Sequence, residues 1–186
     1  MFKKRLILAA LALTLGTGAF ADSYKIDTAH ASINFSVSHL GYSFVTGRFD
    51  TFSGGFEFDA ANLEAASVNV EISTESINSN HGARDNHLRG ADFLDAANNP
   101  TASFVSTGIK KTGDNTAVIT GDLTLRGVTK SVALDASFIG EGKDPWGGYR
   151  AGFTGTTTIN LGDYGMGNVI GPADVALNIV AEGVRQ

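Results

Sequence analysis

The chemically richest stretch of this 186-residue chain is His81–Leu94, HGARDNHLRGADFL, where His81, Arg84, Asp85, His87, Arg89 and Asp92 crowd into one short run. Imidazoles and carboxylates supply metal ligands or an acid and base; guanidinium and carboxylate supply ion pairs or a site for an anion. The run predicts a short helix over residues 81–90, on which His81 and Asp85, and Asp85 and Arg89, lie four apart and share a side. Two readings compete: an active or ligand site, or a helix braced against a sheet by structural ion pairs among Arg84, Asp85, Arg89 and Asp92. Leu88 is the large aliphatic residue of the helix, so its packed face must also carry charge, and buried charge is tolerable only when paired. The brace is therefore the favoured reading. A metal-binding or hydrolytic protein using His81, Asp85, His87 and Asp92 is the alternative. Against it, His81 and His87 are six apart, about 120° away from each other on a helix, with no i, i+4 His pair. There is no Gly-x-Ser-x-Gly elbow and no cysteine to act as nucleophile. No catalytic residue, metal or cofactor is expected.

The elements that must position this helix are strands. Apolar residues alternate with polar ones in Ala31–Ser38, Val68–Ser73, Ile119–Leu125, Val132–Phe138 and Tyr149–Leu161. Turn signals such as Ser53-Gly54-Gly55, Arg126-Gly127 and Gly165-Met166-Gly167-Asn168 fall between the runs at hairpin spacing. Pro100, Pro145 and Pro172 all sit in connections, where a missing N–H harms no ladder. About eight strands with short links predict an all-β antiparallel meander. Closing it into a barrel removes the exposed edges and covers the apolar face. Such a barrel is just wide enough to be filled by side chains or to hold one small ligand.

Lys3, Lys4 and Arg5 precede the apolar run Leu6–Leu15 and a small-residue segment ending Ala19-Phe20-Ala21, the pattern of a secretory signal peptide cleaved after Ala21. Residues 1–21 are thus the signal and 22–186 one barrel domain. No later run approaches the roughly 20 apolar residues of a membrane-spanning helix. The periplasm is the expected location, with full secretion as the alternative. Loss of the three leader charges takes the formal net charge from −5 to −8, which argues against nucleic acid as a partner. Without cysteine, the fold rests on its core and hydrogen bonds alone.

Phe44, Phe49, Phe52, Phe56 and Phe58 occupy both parities of one stretch, more aromatic surface than one sheet face can bury, which points to a lined cavity or a subunit interface. Glycines at 47, 121, 152, 155 and 183 fall inside strand-like runs and mark either bends and close approaches or room left inside the barrel. The only tryptophan, Trp146, makes the Asp144–Arg150 loop either a binding loop with an aromatic platform or, the favoured reading, a turn pinned by burying the indole.

Five motifs occur in the order found in the YceI-like family: His39-Leu40-Gly41-Tyr42, Gly47-Arg48-Phe49, the His81–Leu94 run, Gly121–Lys130 and Asp144-Pro145-Trp146-Gly147. The chain resembles that family over essentially its whole mature length. The resemblance implies a periplasmic lipocalin-like barrel whose apolar tunnel holds a polyisoprenoid or similar long-chain lipid, a prenyl pyrophosphate or an isoprenoid quinone. It also implies a homodimer and no enzymatic activity. On that reading the tunnel candidates, from alternation and from position after the helix, are Phe35, Val37, Phe44, Phe49, Val70, Ile72, Phe93, Leu94, Leu123, Leu125 and Phe153. Head-group candidates are His39, Tyr42, His81, Arg84 and Arg89.

Overall fold

The computed structural model describes residues 21–166 and 174–186; the expected leader, Ala21 apart, and Pro172 lie outside them. Its strands are β1 (Asp22–Ile26), β2 (Ser32–His39), β3 (Ser43–Phe49), β4 (Phe52–Phe58), β5 (Ser67–Ser73), β6 (Ile77–Asn78), β7 (Thr101–Lys111), β8 (Thr116–Leu125), β9 (Val128–Lys143), β10 (Tyr149–Asn160) and β11 (Asp174–Arg185), with one α-helix, α1 (Gly82–Arg89), between β6 and β7. All neighbours pair antiparallel in a single sheet. The sheet closes through β11, which pairs with β10 on one side and with β2 and then β1 on the other.

The eleven segments make eight staves, because β1 and β2, β3 and β4, and β5 and β6 are broken halves of single barrel positions. The eight-stranded antiparallel barrel expected from the alternation is the fold observed. Each break changes which parity faces inward. Tyr24 and Ile26 face in on β1, whereas Ile33, Phe35 and Val37 do so on β2; Phe49 faces in on β3, and Phe52, Phe56 and Phe58 on β4. Asp50-Thr51 supplies the extra step between β3 and β4. The aromatic excess therefore goes mostly inside, and Phe44 alone of the five stands outside, 71% exposed.

Two apolar clusters divide the interior. One, at the end carrying α1, centres on Ile33, Ile72, Leu123, Leu125, Tyr164 and Met166; the other gathers Tyr24, Phe56, Phe58, Phe138 and Phe153. In the second, Tyr24 stacks on Phe56 at 4.9 Å, and Phe153 meets the edges of Phe56 and Phe58 at 5.3 and 4.9 Å. Burial pushes the Tyr24 phenol pKa up to about 12. Three of the strand glycines are seats for rings: an added Cβ would lie 2.3 Å from Phe35 at Gly47, 2.3 Å from Phe104 at Gly121 and 2.6 Å from Phe56 at Gly183. Gly152 and Gly155 make only ordinary contacts there, at 3.8 and 3.6 Å.

Helix α1 follows the boundaries its sequence implies. His81 is the extended N-cap, and its Nδ1 accepts from the Arg84 amide at 3.2 Å; Gly90 ends the helix. Asp85 in the first turn and His87 and Arg89 in the last complement the helix dipole. Leu88 and Phe93 pack on the cluster below and Leu94 is buried, so α1 and the loop after it cap one end of the barrel. The two-residue β8–β9 turn, with Arg126 at φ 51 and Gly127 at φ 72, has the left-handed pair that tight hairpins need. From that turn the Arg126 guanidinium donates to the carbonyls of Ala91, at 2.6 Å, and Gly165, tying the loop after α1 to the segment beyond β10.

Candidate functional site

Between the two clusters lies a cavity of about 300 Å³, walled by inward side chains of the barrel strands, among them Ile33, Val70, Ile72, Phe104, Leu123, Leu134, Phe153 and Ile179. It reaches the surface between the β4–β5 connection, with Ala60, Leu63 and Ala66, and the β7–β8 hairpin, with Lys111, Asp114, Asn115 and Thr116. This is the end of the barrel opposite α1, because β4 and β7 finish there whereas β6 leads directly into the helix. The polar residues at the mouth are one lysine, the acids Glu57 and Asp114, and neutral groups. Its walls are aliphatic and aromatic, a surface suited to a hydrocarbon chain.

The expected tunnel residues divide three ways. Val70, Ile72, Leu123 and Phe153 face the cavity. Phe35, Val37, Phe49, Phe93, Leu94 and Leu125 belong to the packed cluster at the α1 end. Phe44 is on the outer face of β3, where its neighbours Val45 and Gly47 take the inward parity. Alternation cannot tell which part of an inward face borders the cavity and which part is solid core.

None of the expected head-group residues is at the mouth. His39 and Tyr42 occupy the exposed β2–β3 hairpin, with Tyr42 86% exposed, and His81, Arg84 and Arg89 belong to the opposite, capped end. Both arginines there are also occupied. Arg84 Nε donates to Ser79 Oγ at 2.7 Å and its Nη2 to the Ser79 carbonyl at 2.6 Å. Arg89 Nε and Nη2 donate to the carbonyls of Glu75, at 2.7 Å, and Ile77, at 2.9 Å.

The expected ion pairs within the helix are replaced by hydrogen bonds to the segment before it, residues 75–79. Asp85, 7% exposed, accepts from the Ser79 amide at 2.8 Å and from the Ser79 hydroxyl. The Ser79 hydroxyl holds its carboxyl below the usual range against burial, helped by the amide and then by the charges of Arg89 and Arg84. Asp92 is exposed beyond the helix, and the salt-bridge partner of Arg89 is Glu75, at 3.5 Å. The contacts of Arg84, Asp85 and Arg89 are thus made with Ser79 and with backbone carbonyls of residues 75–79, the polar groups nearest to them in the chain.

The metal or hydrolytic alternative finds no converging ligands in this run. His81 Nδ1 is used in the cap, Asp85 is bonded to Ser79, and His87 packs edge-on against Phe93 at 5.0 Å. Among the described residues, the three that could converge on a metal are Asp27, His30 and Glu182. Arg150 already joins two of them: its Nη1 donates to Asp27 at 2.7 Å and Glu182 at 2.6 Å, and its Nε to Asp144 at 2.9 Å. The Arg150 guanidinium, the first cause in each case, holds the carboxyls of Asp27 and Asp144 below the usual range. Asp144 also accepts from the amides of Trp146 and Gly148, so this carboxylate orders the turn, and Trp146 remains 80% exposed instead of pinning it. Sequence reading missed this cluster because its members are far apart in the chain; only Asp144-Pro145-Trp146-Gly147 signalled a structured turn.

A UPF0312 protein of Azotobacter vinelandii is 56% identical, with all of both chains covered. The crystal structure of the Campylobacter jejuni YCEI protein superposes with a TM-score of 0.73 at 27% identity, covering 97% of this chain and 99% of that one. A polyisoprenoid binding domain from Saccharophagus degradans shares the fold at a TM-score of 0.67 and 18% identity, over 88% of this chain and 98% of its own. The YceI-like domain profile matches residues 24–183, and with the barrel, its capping helix and these relatives it establishes that the chain belongs to the YceI-like family.

Proposed function

We propose that this protein is a periplasmic carrier that binds and sequesters a polyisoprenoid or similar long-chain lipid in its barrel. The observation that carries the reading is the apolar cavity that opens between the β4–β5 and β7–β8 connections. Each methylene moved from water onto such walls contributes about 0.8 kcal/mol, so chain length alone sets affinity over a wide range. The polyisoprenoid binding named for the Saccharophagus domain supports the ligand class, and the leader ending at Ala21 supports the periplasm, or secretion. Leu40, Tyr42 and Phe44, exposed together on the β2–β3 hairpin, offer a surface for a homodimer.

Native mass spectrometry and lipid extraction of protein purified from its own periplasm test this. An apolar chain recovered at close to one per subunit is expected. Lipid-free protein carrying stoichiometric metal would overturn the carrier reading.

A further inference from the structure

Among the described residues, one buried side-chain polar atom is not used by the fold. Tyr164 ends the 3-10 turn Leu161–Tyr164 that follows β10, and it is 1% exposed within the apolar cluster of the capped end. Among the described residues, its hydroxyl is the buried side-chain oxygen without a hydrogen-bond partner. A buried unpaired hydroxyl is destabilising, and phenylalanine would fill the same space without that penalty. The cluster around it includes Ile33, Ile72 and Leu123, which also wall the cavity, so Tyr164 and the cavity share one layer of side chains. Thr157, on the inward parity of β10 opposite Leu177, puts a second hydroxyl-bearing side chain on the wall above.

We propose that Tyr164 is the polar anchor of the cavity: its phenol donates to a single uncharged acceptor, a carbonyl or ether oxygen, on a ligand that enters with that end first and trails its chain toward the mouth. The inference rests on the carrier reading above. Burial raises the pKa of the phenol, so it remains a donor at neutral pH. The buried members of the cluster around it are aliphatic side chains and Met166; Arg126, whose guanidinium reaches the neighbouring Gly165, is spent on the carbonyls of Gly165 and Ala91, as Arg84 and Arg89 are on other backbone carbonyls. A pyrophosphate would lose its hydration there with nothing in exchange. The anchor thus selects a neutral, oxygen-bearing lipid of the quinone class over a charged prenyl pyrophosphate.

The test compares decylbenzoquinone with decylbenzene, which carries the same chain on a six-membered carbon ring without oxygen, by calorimetric titration of the full-length mature protein. Tyr164→Phe is expected to weaken the quinone about three- to tenfold, the range of one neutral hydrogen bond, and to leave decylbenzene unchanged. Free Tyr164→Phe is expected to melt at or above the wild-type temperature. Independently of any variant, a carbonyl stretch of the quinone bound to wild type is expected below its position in alkane. A variant that weakens both probes alike or neither, or a bound carbonyl at its alkane frequency, overturns the anchor while the carrier reading stands. Failure of wild type to take up either probe overturns both.

Discussion

Replacing Asp85 with alanine is expected to lower stability without changing which lipid is bound. Its Oδ1 is the acceptor for the Ser79 amide at 2.8 Å and for the Ser79 hydroxyl, and Ser79 is itself only 3% exposed. Truncation strands both donors, although Arg84 Nε still reaches the hydroxyl. A buried donor left unpaired costs about 1–3 kcal/mol, and bonds to an ionised acceptor lie at the strong end, so a total loss of about 2–4 kcal/mol is expected. A domain of this size moves by about 2–4 °C per kcal/mol, which places the fall in Tm at about 4–16 °C. The sign with pH is also determined. Because the folded carboxyl is held below its unfolded value of about 3.9, its contribution is complete above that value and is lost as pH falls through the lower folded one. Urea melts of wild type and Asp85→Ala should therefore differ most at neutral pH and converge in acid. Asp85→Asn keeps an acceptor oxygen and should recover part of the loss. Lipid extracted from the variant should match wild type, since the mouth lies at the other end of the barrel. Lost lipid at unchanged melting would refute the brace and return this helix to the binding site.

Three further outcomes follow from the same geometry. Ala136 is buried on the cavity wall, so Ala136→Phe should fill the cavity and cut recovered lipid severalfold while the protein still folds, read by extraction beside circular dichroism. Phe44→Ser, at an exposed outer position, should shift stability by no more than about 0.5 kcal/mol and leave extracted lipid unchanged; a loss of lipid would place Phe44 at the ligand after all. Arg150→Met leaves Asp27, Asp144 and Glu182 facing one another, so its stability deficit should be larger at pH 7 than near pH 4, where protonation relieves the repulsion; a deficit independent of pH would refute the charge-cluster account.

The contrast between His81–Leu94 and Phe44–Phe58 shows which properties are local. The helix lies between an N-cap, a first-turn acid, last-turn bases and a terminal glycine, all within one run of sequence, and it forms at Gly82–Arg89 inside the expected 81–90. The phenylalanine run carried no such local solution. Its mixed parity signalled two environments, but a broken stave at Asp50-Thr51, invisible without the strand pairing, sends both parities inward. Likewise Gly47 and Gly121 could be flagged as unusual from sequence, whereas the rings of Phe35 and Phe104 that require them come from the register.

By itself, the sequence determined the all-β class, the count of about eight staves, the short helix within 81–90 and the apolar character of the interior. Each of these rests on periodicity, turn chemistry or capping within a few residues. Only the tertiary structure decided that the cavity opens away from the charged helix, that Arg84 and Arg89 are consumed by carbonyls, that Arg150 joins Asp144 to the distant Asp27 and Glu182, and that the Tyr164 hydroxyl is buried without a partner among the described residues. The physical reason is common to all four. Closing a barrel brings together groups from staves far apart in the chain, and which end of each stave meets which neighbour depends on pairing, a property no short window of sequence contains.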